Sequence, residues 1–560
     1  MRSAVGALKN DGRSLVFTFP FFLKLFLFSF VCTVSFLLFE FRSDISSLTS
    51  SLTVNRVVVY DTFSYSFDSD FNQDFFKDEI KRKLSGVEFN GKRRFKFSDN
   101  ESDLVFSGKK KDGFVEIFST DYIPVGHFYS LVRNVTLSDV RRKVFVLDDL
   151  VLSSLSASGF SSVQKVGSKE ELISLLENDL DAIGFVKFGD LDRRLKVLSF
   201  DGNYYLDSDT GAFSVGLYVL GHNDCAVDVL RGFLSGSDSG VFERGALVKL
   251  NMGGVVAMAR RLMSKMVSVG SSTYPADVIG DFLADADLTH VSNEVSFSTG
   301  CVNQSGLRFC SKDTFIDALV KSGVDIVELT GNHNNDFGSG NSAFSINLYK
   351  EKGIDYFGGG LNTVDASKIL YEEVKGIKLA FVGYNYYDSV YNHVYALAGE
   401  SSAGANSYSG EKLERDIKEA SSNADVVIVT FQFQECYCYP SGDVIYPICY
   451  KPLANPDQKG VFRRAVELGA DIVVGTQAHQ PQTYELYGNG VIFYGLGNLF
   501  FDQDNWIGTR QGLILSNYFY DGKLLQSRLS ATYMGSDLQP RLATDGEADL
   551  LFNLLNEARD

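Results

Sequence analysis

The chain has 560 residues, 45% hydrophobic and 22% charged. That composition fits globular folding over more than one domain and excludes a disordered chain. Asp and Glu number 70 against 53 Lys and Arg, a formal charge of −17, which lacks the basic field that non-specific nucleic-acid binding requires. No nucleic-acid partner is expected, and an anionic ligand must find a local basic patch.

The first element is the apolar run from Leu15 to Phe39, long enough for the roughly 20 residues of a membrane-spanning helix. Arg2, Lys9 and Arg13 precede it, so the N-terminus is expected in the cytoplasm and the bulk of the chain outside. Lys24 lies near one end of the run, where a lysine can snorkel. The following Glu40-Phe41-Arg42 makes a poor cleavage site. Residues 1–45 are therefore expected to form a cytoplasmic tail and an uncleaved, single-pass anchor in the cell membrane. A Ser-rich linker at 44–54 leads to a strand at Arg56–Tyr60.

Basic clusters follow at Lys77–Lys83, Lys92–Lys96 and Lys109–Lys111. They fit a solvated surface, or a docking patch for a polyanion or lipid headgroups. A helix is expected to start at Ser138. Another runs from Ser168, with Ser168 and Glu171 spaced as a capping box. Strands are expected at Asp181–Lys187 and Lys196–Phe200. Alternating strands and helices predict an α/β domain over residues 54–206, and its order of elements resembles periplasmic substrate-binding domains. His127, beside Pro124 and Gly126, reads as a loop residue. The Gly/Ser/Asp-rich stretch Ser235–Gly240 marks a boundary.

A second α/β region spans 245–535. Its expected strands are Ala246–Leu250, Ile326–Leu329, Lys378–Val382, Asp425–Thr430, Asp471–Val474 and Val491–Tyr494, most of them separated by helical stretches. A terminal helix lies within 540–560. There are 7 cysteines. In an oxidising compartment Cys301–Cys310 and Cys438–Cys449 would close short loops, leaving Cys225 as an odd thiol. A Cys-x-Cys zinc site at Cys436 and Cys438 competes with the second pairing, although no second pair with zinc-finger spacing follows.

The strand ends of this region carry its polar chemistry. Asn293 and Glu294 close one segment. Gly331-Asn332-His333-Asn334-Asn335-Asp336 follows Ile326–Leu329. Gln432, Gln434 and Glu435 follow the Asp425 strand, Gln477 and His479 the Asp471 strand, and Asn498 and Asp502 the Val491 strand. Loops at one edge of an α/β sheet converge on a crevice, and strand ends hold ligands rigidly. His290, inside an apolar run, reads as a core residue.

These blocks (Val-Ser-Asn-Glu294, Gly-Asn-His333-x-x-Asp336, Gln477-Ala-His479-x-Pro-Gln482 and Gly-Leu-Gly-Asn498-Leu-Phe-Phe-Asp502-Gln503) resemble the CapA (PgsA-like) capsule-synthesis family. The resemblance implies an α/β sandwich of the calcineurin-like metallophosphoesterase type. It also implies a role in making or exporting poly-γ-glutamate capsules, with an anionic polymer or its precursor and capsule synthase subunits as partners. Three positions depart from the family pattern. The first strand reads Asn251-Met-Gly-Gly254-Val255, without the usual aspartate, and Gln432 and Gln477 stand where histidines are expected. Amides are neutral, weak ligands, so one divalent ion or none is expected rather than a pair.

The whole chain is thus read as α/β: an N-terminal anchor, a small periplasmic-binding-like domain and a metallophosphoesterase-like sandwich. Glu294, His333 and His479 are the candidate metal ligands. Glu294, His333 and Asp336 are the candidate catalytic groups. Asn332, Gln432, Glu435, Gln477 and Asn498 are the candidate substrate contacts. Three readings stand: a polymer-binding protein with a depleted metal site, a metal-dependent hydrolase of phosphoester or γ-glutamyl bonds, and a pure solute-binding module, which rests on the first soluble domain alone.

Overall fold

The computed structural model describes residues 63–559 apart from 70, 72–73, 90–91, 100–101, most of 222–241, 305, 394 and 435–449. The expected anchor, linker and strand at Arg56–Tyr60 lie outside the described residues, as do Cys225, Glu435, Cys436, Cys438 and Cys449. Among the described residues no helix is long and apolar enough to cross a membrane.

The first lobe is built on a nine-stranded sheet. Its two long strands, Val115–His127 and Phe213–Gly221, run antiparallel at the centre and join a half with Phe63–Phe67 and Leu104–Ser107 to a half with Ile183–Val186 and Val144–Val146. The lobe therefore continues past residue 206, since Phe213–Gly221 lies inside the sheet. No helix starts at Ser138. That segment is a turn in which Asp139 accepts hydrogen bonds from the backbone and hydroxyl of Thr136. The helix comes later, at Asp149–Ala157, capped by the side chain of Asp148. The helix Lys169–Asn178 is capped by Ser168, but Glu171 bonds the Gly167 backbone amide instead of that of Ser168, so the capping box is half formed. His127 is not in a loop: it ends a long strand, is buried, and packs on Tyr129.

The second lobe is a four-layer sandwich. Eight strands form one sheet, in the order Asp355–Phe357, Ile326–Glu328, Leu288–Asn293, Val248–Val256, Gln511–Tyr520, Lys523–Met534 and Pro540–Leu542, with Asn498–Phe500 beside Val248–Val256. Six form the other, in the order Leu370–Val374, Ile377–Asn385, Val426–Gln432, Ile472–Gly475, Gly490–Leu496 and Pro481–Tyr487. Side chains alternate along each strand as period 2 demands. Leu379, Phe381, Val426, Ile428, Ile472 and Val474 fill the core between the sheets with Leu250, Met252 and Ile326 of the other. Ala380, Val382, Val427, Val429 and Val473 face the opposite way, onto the helices Gly410–Asn423 and Gln458–Leu468. These helices present Leu413, Ile417 and Ala420, and Phe462, Ala465 and Val466, at helical spacing. The terminal helix Asp545–Glu557 opens with a complete capping box between Thr544 and Glu547.

One device recurs at the start of the parallel strands. Asp287 accepts the Lys249 backbone N–H at 2.9 Å, Asp325 that of Thr289 at 2.8 Å, Asp425 that of Lys378 at 2.8 Å, and Asp471 that of Val427 at 2.8 Å. In each case the aspartate's own N–H donates to the carbonyl of the same partner residue. The side chain thus takes up the N–H that would otherwise be left without an acceptor where the ladder begins. It also fixes register, because a slip of one residue would turn a buried face outward. Asp471→Ala should leave the Val427 N–H unpaired and cost about 1–3 kcal/mol. Urea unfolding should show this loss, with Asp471→Asn, which keeps an acceptor oxygen, losing less.

Candidate functional site

Within each sheet of the second lobe the strands that carry candidate residues run parallel, so their C-terminal ends share an edge. Side-chain bonds join the two edges. Gln432 donates through Nε2 to Gln477 Oε1, and Gln477 Nε2 donates to Glu294 Oε1 at 3.3 Å. All three residues are buried, and Glu294 comes from the other sheet. The His333 loop packs on Glu294: Val295 and His333 form a parallel bridge, and a Cβ at Gly331 would lie 2.6 Å from the Glu294 Cα. Only glycine permits that approach. Glu294 Oε2, Asn332 Oδ1 and Gln432 Oε1 are buried with no hydrogen-bond partner among the described residues. The crevice therefore holds an excess of acceptors, which is costly unless a ligand or water supplies donors.

The two imidazoles lie against a pair of phenylalanines. The His333 ring is 4.3 Å from Phe309, the His479 ring is 5.0 Å from Phe501, and the two phenylalanine centroids are 6.2 Å apart. His333 Nδ1 lies 2.7 Å from Asp336 Oδ2. That carboxylate oxygen also accepts the Phe309 backbone N–H. His479 Nδ1 lies 2.9 Å from Asn498 Oδ1, and Asn498 Nδ2 donates to Thr509 O, so the amide orientation makes Nδ1 the protonated nitrogen of a neutral His479. Asp336 imposes the same tautomer on His333, the orientation typical of an imidazole held for ligand or proton chemistry at Nε2.

Sequence reasoning missed the rim. The first strand was expected to stop at Leu250 but continues to Val256, which brings Arg260 and Arg261 to the same edge. Arg260 adopts φ +47° and lies over both Phe309 and Phe501, 4.8 and 4.7 Å from their centroids. A non-glycine residue held there carries strain of a kind that clusters at ligand sites. Arg260 pairs with Asp502 and Arg261 with Asp504. Arg308 instead donates to the Asp336 backbone carbonyl. The Cys301–Cys310 disulfide, one of the two expected loop closures, forms next to Phe309. Arg260, Arg261, Ser264, Asn303, Gln503 and Trp506 line an open depression of about 580 Å³ at this rim. Glu328 was also missed. It is fully buried, accepts hydroxyl bonds from Thr330 and Thr476, and lies 3.6 Å from His290, which is the core residue expected.

Gly254 occupies the strand where the resemblance led one to look for an aspartate. Its neighbour Val255 donates to Gly497 O at 3.0 Å, and a Cβ on Gly254 would overlap that same carbonyl. This backbone contact leaves no room for a side chain. Among the described residues no group of three or more His, Cys, Asp or Glu side chains is placed to hold a metal ion, so Glu294, His333 and His479 do not form such a group. The donors present do not fit a two-metal centre: Gln432 and Gln477 are amides bonded to each other, and Asp502 is taken by Arg260.

Behind the crevice, Asn385 ties Thr330 O to Asp388, and burial pushes the Asp388 carboxyl up to about 6. A raised carboxylate favours the folded state below its unfolded pKa and loses that contribution as pH rises through the folded value. Asp388→Asn should therefore melt higher than the parent above about pH 6. The gain should vanish below about pH 4, as followed by thermal denaturation across pH. Gly254→Ala should lower the melting temperature at every pH, because its Cβ has no space.

Comparison with known proteins finds relatives of the region that carries this site. Residues 249–503 match the family model described as bacterial capsule synthesis protein PGA_cap. The capsule biosynthesis protein CapA of Bacillus anthracis is 30% identical over 219 residues, 38% of this chain and 49% of that protein. The PGA biosynthesis protein CapA of Bacillus subtilis (strain 168) is 28% identical over 201 residues, 36% of this chain and 48% of that protein. The chain thus spans about half the length of the curated relatives it matches. A hypothetical protein from Thermus thermophilus superposes over 50% of this chain and 98% of its own, at 14% identity and a TM-score of 0.31, too low to carry an argument. Over residues 249–503, the chain is thus similar to the bacterial capsule synthesis protein family PGA_cap.

Proposed function

We propose that this chain is a membrane-anchored, extracytoplasmic protein of capsule polymer synthesis or export, which binds an anionic polymer such as poly-γ-glutamate, or its precursor, at the strand-end crevice. Capsule synthase subunits are the expected protein partners. The observation that carries the reading is the Gln432–Gln477–Glu294 chain with its unpartnered oxygens. A polyamide offers what those oxygens lack: backbone N–H donors. Its carboxylates would meet the rim, where Arg260, Arg261 and Arg308 gather on an otherwise acidic protein.

The amides also argue for holding rather than cleaving. A glutamine cannot take or give a proton at neutral pH, and it binds metal weakly. Glu294 Oε2 and Asn332 Oδ1 would suit one oxygen-preferring divalent ion, but no step of this reading runs through a metal. His333 and Asp336 would orient the bound chain from one side, and His479 with Asn498 from the other.

The full chain should bind poly-γ-glutamate oligomers saturably without shortening them. Arg261→Ala and Glu294→Ala should each weaken binding about tenfold, equivalent to about 1.4 kcal/mol. Elemental analysis should find no more than one metal ion per chain. Two bound ions, together with turnover of a phosphodiester or γ-glutamyl bond that is lost in His333→Ala, would establish the hydrolase instead.

A further inference from the structure

A second cavity, of about 360 Å³, lies between the lobes, away from the strand-end crevice. The segment around Phe128–Asn134 and the strand Leu195–Val197 close it from the first lobe. The strand Lys523–Met534 and the helix Asp545–Glu557 close it from the second. One wall is aromatic, made by Phe128, Tyr484 and Phe493. Its charges are uneven: Arg133, Lys196 and Arg528 line it, against the single carboxylate of Asp545.

Among the described residues both arginines have carboxylate partners and Lys196 has none. Arg133 reaches Asp545 and Asp549 at 3.3 and 2.8 Å, but both aspartates are largely exposed, so solvent screens them. Arg528 lies over the Tyr204 ring, 3.9 Å from its centroid, and bonds Asp207 at 3.0 Å, a carboxylate that Lys249 also shares. Lys196 Nζ donates to the Ser130 carbonyl at 2.7 Å, and the charges acting on it are the two guanidiniums. It keeps some accessible surface although protein atoms surround it densely, as befits a side chain that opens onto an internal space. Burial and the neighbouring cations push its ammonium down to about 7. Tyr204, also on the wall, has a buried hydroxyl without a hydrogen-bond partner among the described residues. Where the strand-end crevice has surplus acceptors, this cavity has surplus donors and an uncompensated cation.

We infer that the interlobe cavity binds a small anion carrying carboxylate or phosphate groups, with Lys196 as its principal counter-charge and Arg133 and Arg528 beside it. The volume suits a small molecule rather than a polymer. A lysine without a counter-charge in such a place is costly when no ligand is bound, and an anion would remove that cost while tying the two lobes together.

Calorimetric titration of the full chain with inorganic phosphate and, separately, with L-glutamate tests this. One of the two should bind saturably: phosphate identifies a phosphoryl ligand, glutamate a carboxylate. Lys196→Met should abolish binding while raising the melting temperature of the ligand-free protein, which separates lost recognition from lost folding. Arg133→Gln, at a partly exposed position, should weaken binding several-fold. Saturable binding of neither anion, or binding unchanged in both variants, would overturn the inference.

Discussion

A parallel ladder leaves an unpaired N–H where each strand begins, and this protein closes the gap with aspartate. Asp287, Asp325, Asp425 and Asp471 each clasp the backbone of the neighbouring strand through both N–H and carboxylate. The clasps fix which residue lies opposite which. Register then decides which residues stand at the far edge: Glu294 after one strand, the Asn332–Asp336 loop after the next, Gln432 and Gln477 across the core. A slip of one residue would bury the wrong face and scatter these groups. The far edge can be irregular and polar because the near edge is tied down.

At that far edge the balance of donors and acceptors sets the chemistry. Gln432 donates to Gln477 and Gln477 to Glu294, a chain that ties the two sheets together and leaves Gln432 Oε1 open. At the Gly254–Gly497 contact, backbone fills the space a carboxylate would need. What remains of the histidine chemistry is well oriented: Asp336 fixes one ring and Asn498 the other, with Phe309, Phe501 and Arg260 packed between.

The two lobes are not independent beads. Val197 N–H donates to Gln526, Leu486 N–H to the Tyr129 hydroxyl, and Tyr518 packs among residues of the first lobe. Between these contacts the interlobe cavity carries the opposite polarity to the crevice, cationic and rich in donors. One chain thus offers two environments of complementary character, one set by strand ends and the other by a junction.

Alternation of buried side chains is a local property, so the strands could be read from the residues alone. Six segments of the second lobe were legible, with ends off by a few residues, and so was the gathering of Asn332, His333, Gln477 and Asn498 at strand ends. The Cys301–Cys310 closure was legible too, since short loops pair readily. The early stop at Leu250 hid Arg260 and Arg261, because the strand in fact continues through Met-Gly-Gly, where Gly254 comes into close approach with Gly497. Ser138 misled because its neighbour Asp139 satisfies a turn locally. Glu328, Phe309 and the Lys196 cavity were beyond sequence reading. Their meaning comes from partners far away along the chain, or from an empty space that two lobes enclose, and only the folded chain decides which distant side chains share a dielectric.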